Sequence, residues 1–258
     1  MSTATEPPAG SYGLLCARVY QLDKPVGTSF GDVEFYRSLL DGVRGEILEP
    51  AVGTGRILIP LAESFPRIRG FDTSAPMLEI CRENLAARRL DVAVFQADLL
   101  DFRAPSTFEA VIVPTGSFAL LIGRDRAAAA LRNVRDSLVP GGRFIVDVEP
   151  PKPPSPPGTE SHGRWRDGDA LLTLTARAAP RRAADRWTSH NRYELWRDGR
   201  LEQTEDELFE LQLYGLGEFT AMLRDAGFGR ITAHANYQAG HPPTGDSDTV
   251  WTFEATAT

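Results

Sequence analysis

The chain has 258 residues, 42% of them hydrophobic and 24% charged, enough apolar material to bury a sizeable core in one large domain or in a domain carrying an insertion. Its formal charge of −7 repels polyanions, and Lys24 and Lys152 are its only lysines, so a nucleic-acid partner is excluded unless arginine makes a local basic patch; Arg181-Arg182 with Arg186 is too short to be one. Cys16 and Cys81 lie far apart without metal-ligand spacing, and the sequence shows no leader-like start and no run near the roughly 20 apolar residues of a membrane span, so no disulfide scaffold, metal site or membrane partner is expected and a cytoplasmic location is.

Ser2 to Gly10 is small, polar and proline-bearing, and mobility is expected there. Two amphipathic segments follow, Tyr12 to Tyr20 and Val33 to Leu40, separated by a loop at Gly27 to Phe30. Their aromatics either pack on the sheet that follows or close over a ligand; the second reading makes Tyr12, Tyr20, Phe30 and Tyr36 part of a lid.

From Glu46 to Leu61 the pattern is a buried strand, a turn bearing Gly53 and Gly55, and an apolar helical run. A ligand is expected over that turn. Arg69 to Asp72 is a second strand ending in an acid, at about the spacing where nucleotide folds place the carboxylate that holds a ribose. Thr73-Ser74-Ala75-Pro76 then starts a helix through Met77, Leu78, Cys81 and Leu85, so Asp72 also has the simpler role of capping it. A third strand, Val92 to Gln96, ends at Ala97-Asp98-Leu99. The fourth, Ala110 to Val113, ends in Pro114-Thr115-Gly116-Ser117-Phe118. A helix from Arg124 to Leu138 and a turn at Pro140-Gly141-Gly142 lead to the fifth, Arg143 to Val148. Strands alternating with helices make a doubly wound parallel sheet, whose ligands sit at the carboxyl ends of the strands. Glu49, Asp72, Asp98 and Thr115 all fall there.

The composition then changes. Pro150 to Gly158 is a proline-rich connector, and Ala170 to Thr175, Trp187 to Trp196 and Leu201 to Leu213 alternate as strands, with Asp198-Gly199 as a hairpin turn. An antiparallel insert of about three strands is expected. Gly217 to Ala226 is helical, and Ile231 to Tyr237 with Val250 to Ala255 complete the main sheet as an antiparallel hairpin at its edge.

The segments Glu49-Pro-Ala-Val-Gly53-Thr-Gly55, Gly70-Phe-Asp72-Thr-Ser-Ala-Pro-Met77-Leu, Gln96-Ala-Asp98-Leu, Pro140-Gly-Gly142 and Leu223-Arg-Asp-Ala-Gly-Phe228 together resemble the class I S-adenosylmethionine-dependent methyltransferases. The resemblance implies an α/β, doubly wound, mainly parallel seven-stranded Rossmann-like sheet with an antiparallel β insert and an N-terminal helical lid. It divides the chain into a lid at 1–44, a cofactor-binding core at 45–150 and 215–258, and an acceptor-binding insert at 151–214. It implies S-adenosyl-L-methionine as cofactor, with Glu49 and the backbone of Ala51, Gly53 and Gly55 around its methionine part. Asp72 falls to the ribose, Met77, Asp98 and Leu99 to the adenine, and Thr115, Gly116 and Phe118 to the neighbourhood of the sulfonium, with Tyr20 and Thr73 as further cofactor-binding residues. Ala51 stands where the family usually has its first glycine. The break at Pro150 and the strands after it are similar to the small-molecule methyltransferases of bacterial secondary metabolism, including amino-sugar N-methyltransferases. A small-molecule acceptor and a monomer or homodimer follow from that.

A carboxylate's two acceptor oxygens suit two adjacent ribose hydroxyls, which favours Asp72. A nicotinamide dinucleotide fits less well: its GxGxxG fingerprint needs a small residue where Leu58 stands, and Glu49 in the turn repels a pyrophosphate. Methyl transfer can be driven largely by positioning, and if a general base is used, His162 and His190 in the insert are the candidates, ahead of His234 and His241. Trp165, Tyr193 and Tyr214, with Tyr12, Phe30, Tyr36 and Phe118, are the candidate lining of an acceptor pocket, although aromatics in a small sheet also form its own core. The same fold also accommodates a cyclisation or rearrangement, or a non-catalytic cofactor-binding module.

Overall fold

Side chains that alternate across a strand divide the protein into layers. In the computed structural model, which describes residues 12–151, 153, 155–180, 183–245 and 247–258, strand β4 (Phe108–Val113) sends Val111 and Val113 into one apolar cluster and Ala110 and Ile112 into a second on the opposite face. The segment expected to be mobile, Ser2 to Gly10, lies outside the described residues. Strands β1 (Glu46–Pro50), β2 (Ile68–Asp72), β3 (Val94–Gln96) and β5 (Leu138–Val148) run parallel with β4. They are followed by β10 (Phe228–Ala235) and β11 (Trp251–Ala257), giving a seven-stranded sheet in the order β10-β11-β5-β4-β1-β2-β3. Helices α5 (Arg124–Ser137) and α6 (Leu216–Asp225) cover one face through Leu131, Val134, Phe219 and Leu223. The other face is covered by α2 (Asp32–Leu39), α3 (Leu58–Ala62) and α4 (Ala75–Ala87) through Val33, Leu61, Leu78 and Leu85. A sheet covered on both faces explains why its strands read as nearly continuous apolar runs.

The last two strands complete the sheet as the expected antiparallel hairpin at its edge, with β11 paired antiparallel to β5 and β10 outermost. One expectation about this sheet is corrected in detail. Pro140-Gly141-Gly142 is no turn before β5 but part of it, where the register against β4 shifts between Phe108 and Ala110.

The insert has four antiparallel strands rather than three: β6 (Glu160–Asp167), β7 (Ala170–Ala178), β8 (Arg186–Arg197) and β9 (Arg200–Gln212), in that order. The first was missed because its outward positions are charged and its one large inward group, Trp165, interrupts no pattern; Asp167-Gly168 was the turn signal, of the same kind as Asp198-Gly199.

Helix α1 (Leu14–Asp23) docks on this insert. Leu15, Cys16 and Val19 pack with Ala170, Leu172, Tyr193 and Leu195. The amides of Leu15 and Cys16 donate to Glu205 of β9 at 2.9 and 3.1 Å, so a carboxylate from the insert caps the helix that lacks a cap of its own. Arg18 reaches Asp167 at 2.5 Å, and the Trp165 indole donates to Asp23 at 3.2 Å. Among the described residues no helix is long and apolar enough to cross a membrane.

Candidate functional site

The turn after β1 is set by its backbone. Ala51, Gly53 and Gly55 have φ of 57°, 53° and 85°, so three of five consecutive residues are left-handed and the chain folds back tightly before α3. Gly55 faces inward, because a Cβ there would lie 2.8 Å from Ile59 and 2.9 Å from Cys81; it packs the turn on α3 and α4 and does not line the cavity, contrary to the role expected of it. Ala51 and Gly53 do line the cavity, and Gly53 has only the Met77 sulfur near, at 4.0 Å.

The cavity, about 670 Å³, opens at the carboxyl ends of β1, β2, β4 and β5. Glu49, Asp72, Thr73, Met77, Asp98, Leu99, Thr115, Gly116 and Phe118 all line it, as do Tyr12, Tyr20 and Phe30 from the N-terminal segment. Asp72 is 8% exposed; Oδ2 accepts the Gly53 amide at 2.8 Å and Oδ1 the Ser74 amide at 2.9 Å. It therefore shapes the turn and starts α4, while each oxygen keeps a lone pair for a ligand. Burial pushes its carboxyl up, against the pull of those amides. The Ser74 hydroxyl caps α4 at the Met77 amide and donates to the Tyr12 carbonyl at 2.6 Å, which fixes Tyr12 at the rim. Asp98 accepts the Leu100 amide at 2.8 Å, a turn contact that leaves its other oxygen for the cavity.

Glu49 is 1% exposed, and among the described residues its Oε2 has no partner. Burial holds its carboxyl well above the ordinary range, with the Arg56 charge opposing and the Asp32 and Asp72 charges reinforcing. A buried oxygen of this kind calls for a positively charged hydrogen-bond donor in the cavity. Three cavity residues here were not anticipated. Arg56 donates to Asp32 at 2.5 Å and to the Thr28 carbonyl at 3.0 Å, both side chains being almost inaccessible, and Phe30 lies over the guanidinium at 5.3 Å. Burial pushes the Asp32 carboxyl up, but the Arg56 contact outweighs it and the group sits below its ordinary range. Lys24 is the third. Arg56 directly after Gly55 was the available signal; nothing local marked Asp32.

The opposite wall is built from Glu149 at the end of β5, Phe209 and Leu211 of β9, and Tyr237, Thr249 and Val250 between β10 and β11. Of the expected acceptor lining, Tyr12, Phe30 and Phe118 reach the cavity and the others do not. Tyr36 is fully buried against the sheet and does not reach the cavity. Trp165 and Tyr193 are used in the contact of α1 with the insert, the Tyr193 hydroxyl donating to Glu207 at 3.1 Å. Tyr214 is enclosed between Phe118 and Phe219, under Arg124 at 4.6 Å. His162 has a 60% exposed side chain near Glu160 and Thr175, and His190 is exposed on β8 opposite Leu208. No histidine lines the cavity, which corrects the expectation of a histidine base: both sit on the outward phase of their strands.

The residues present fit the group that the resemblance implies. Unpartnered Glu49 Oε2 suits the ammonium of a methionine moiety, Asp72 suits a ribose diol, and Met77 and Leu99 give an apolar slot for a base. A family model described as a methyltransferase domain matches residues 47–142. A ubiquinone/menaquinone biosynthesis C-methyltransferase of Desulfotalea psychrophila is 38% identical over 111 residues, covering 42% of this chain and 43% of that protein. A dTDP-3-amino-3,6-dideoxy-alpha-D-glucopyranose N,N-dimethyltransferase of Streptomyces fradiae is 29% identical over 196 residues, covering 73% and 74%. The chain thus spans less than half the length of the first relative and about three quarters of the second. The sugar N-methyltransferase KedS8 of a Streptoalloteichus species has the same fold, with a TM-score of 0.76 at 22% identity over 100% of this chain and 98% of that one. Glycine turn, acidic strand ends and sheet order agree with the domain match: residues 47–142 are similar to a methyltransferase domain, and the chain has the Rossmann-like methyltransferase fold.

Proposed function

We propose that this protein methylates an amine on a small natural-product intermediate of the amino-sugar kind. The observation that carries the reading is that the cavity does not stop at the cofactor-binding acids: it continues past Gly116 to Glu149, Phe209, Leu211 and Tyr237, room of the size small-molecule sites have. Glu149 has no hydrogen bond or ion pair within the chain among the described residues, and a free carboxylate beside apolar walls suits a cationic acceptor. The Streptomyces fradiae relative, an N,N-dimethyltransferase of an amino sugar, points the same way.

S-adenosylmethionine, when bound, supplies an electrophilic methyl group on a sulfonium. The chain's own part is to hold and to exclude. Glu49 binds a positive charge at one end, Asp72 a pair of hydroxyls in the middle, and Met77 and Leu99 an aromatic base at the other. Thr115 and Gly116, with φ of 58° and 70°, line the cavity where the sulfonium would lie. Tyr12, Tyr20 and Phe30, from the segment 1–44, keep water from that centre, and the insert 151–214 gives the acceptor its wall. Alignment of this sort can supply about 7 to 11 kcal/mol of the barrier.

The test is turnover of S-adenosylmethionine to S-adenosylhomocysteine with dTDP-3-amino-3,6-dideoxyglucose and with its 3-hydroxy counterpart. Turnover with the amine alone is expected. Turnover with the hydroxyl compound alone rejects the amine. Cofactor binding without turnover on either, or on a wider amine panel, favours a binding module or a rearrangement instead.

A further inference from the structure

Asp147 is an acidic residue next to the carboxyl end of the buried strand β5, inaccessible to solvent between Val146 and Val148. Its Oδ1 accepts the Thr252 hydroxyl at 2.6 Å. Its Oδ2 accepts two donors from two different loops, the Thr115 amide at 2.7 Å and the Tyr237 hydroxyl at 3.0 Å. Thr115 and Tyr237 both line the cavity, and both have a φ of 58°, which non-glycine residues seldom adopt. One buried carboxylate therefore ties together two cavity walls, through the backbone amide of Thr115 on one and the side chain of Tyr237 on the other, each residue having a disfavoured backbone conformation. Packing alone gives no reason for it: an apolar residue would fill the sheet interior without the cost of burying a charge. Strained backbone and a satisfied polar network together mark a site of function.

We infer that Tyr237 is the catalytic group that takes a proton from the acceptor amine, with Asp147 as the positioning residue that receives the tyrosine's own proton. The inference rests on the amine reading above. The acceptor N–H bond breaks and its electron pair stays on nitrogen. An O–H bond forms on the Tyr237 oxygen as the hydroxyl proton passes to Asp147 Oδ2, and the proton later leaves by the same path. Nothing is oxidised or reduced.

Because Tyr237 and Thr115 share one oxygen of Asp147, the hydroxyl is tied to the very loop, Thr115 to Phe118, that flanks the reacting centre in the reading above. Burial pushes the Asp147 carboxyl up to about 6, closer to a useful base than an ordinary carboxylate, though Thr252, Thr115, Tyr36 and Tyr237 all pull it down. The other groups facing the pair are known: the Tyr36 hydroxyl from α2 points at Asp147, and the charges of Asp32 and Arg56 act on Tyr237. Glu149, two residues along β5, is the competing carboxylate in the cavity.

The experiment compares wild type with Tyr237→Phe, Asp147→Asn and Glu149→Gln as full chains. It reads kcat against pH from 5 to 9 with dTDP-3-amino-3,6-dideoxyglucose, S-adenosylmethionine affinity by calorimetry, and the Asp147 carboxyl by NMR of protein carrying ¹³C-labelled aspartate. Tyr237→Phe should lower kcat about 100-fold, the low end for a general base, remove the acid limb of the profile and leave cofactor affinity within about twofold. It should also move the Asp147 titration upward, since a donor to the carboxylate is lost; this readout needs no acceptor. An unmoved titration, or an acid limb abolished by Glu149→Gln and kept in Tyr237→Phe, overturns the relay. No turnover in wild type overturns the amine reading and the relay with it, whereas wild-type turnover with unimpaired Tyr237→Phe overturns the relay alone.

Discussion

Asp72 at the end of β2 accepts the backbone amide of Gly53, nineteen positions earlier in the turn after β1, at 2.8 Å. The residue that offers its remaining lone pairs to the cavity is also the one that fixes the turn beside it, so its binding and structural roles cannot be removed separately by truncation. Asp72→Ala should weaken S-adenosylmethionine binding by at least about 1.5 kcal/mol and, by orphaning the Gly53 and Ser74 amides, cost a further 1 to 3 kcal/mol or about that in folding stability. Calorimetry reads the first and urea unfolding the second; unchanged affinity rejects Asp72 as a cofactor ligand.

Arg56 and Asp32 form an almost wholly buried ion pair, 2.5 Å apart, joining the first turn of α2 to the glycine turn. Arg56→Met leaves the Asp32 charge buried without compensation, and a loss of about 3 to 5 kcal/mol is expected. The double variant Asp32→Leu, Arg56→Met should recover much of it. If the single variant is as stable as wild type in urea, the pair does not hold this corner of the cavity.

Ala51 pays for its left-handed φ of 57°, where a glycine is unstrained. Relief of about 1 to 2 kcal/mol on Ala51→Gly, less about 0.4 to 1 kcal/mol for the freer unfolded chain, leaves a net gain of up to about 1 kcal/mol. Ala51→Val should be clearly destabilising, because a β-branched residue tolerates this conformation least. Thermal unfolding of both decides it, and a destabilised glycine variant counts against the strain.

Asp147 makes stability depend on pH in a direction opposite to that of a salt-bridged acid. Its folded pKa, about 6, lies above the ordinary value of 3.8, so the folded state holds the proton more tightly than the unfolded chain. The contribution is complete below about pH 4 and is lost as pH rises through about 6, a swing of roughly 3 kcal/mol at most. Wild type should therefore lose stability relative to Asp147→Asn between pH 4 and 7, measured by urea unfolding. A difference between the two that stays constant across that range rules out the raised carboxyl.

His162 and His190 stand on outward strand positions away from the cavity. Replacing either with alanine should change stability by no more than about 0.5 kcal/mol and leave methyl transfer unaffected. A turnover defect in either variant, with cofactor binding intact, would place the insert differently from the structure described above.

Much of the core was readable because its signals are local. The apolar runs Ile47-Leu48, Val111 to Val113 and Phe144 to Val146 are strands because nothing else buries such runs between turn residues, and the acids at their ends follow from where a parallel sheet leaves room for a ligand. Asp72, Asp98 and Thr115 could be assigned to one crevice from the strand order alone. The insert was harder. Strand β6 is charged on the outside and carries one aromatic within, and its Trp165 gives no hint that its partner is α1, some 140 residues earlier.

What the sequence determined by itself is therefore the frame: parallel strands, a glycine turn, and carboxylates placed just past strand ends, all of them consequences of periodicity and backbone conformation within a few residues. What only the tertiary structure decided is which side chains meet. Asp147 reads as one more residue of a buried strand until Thr115, Tyr237 and Thr252, from three other segments, bring their donors to it; Arg56 finds Asp32 only when α2 packs beside the turn; and the histidines and tryptophan of the insert turn away from the cavity because strand phase and the docking of α1, not residue type, choose the face each one takes. Hydrogen bonds and ion pairs between segments far apart in the chain leave no periodic trace in it, and the acceptor wall is made almost entirely of such meetings.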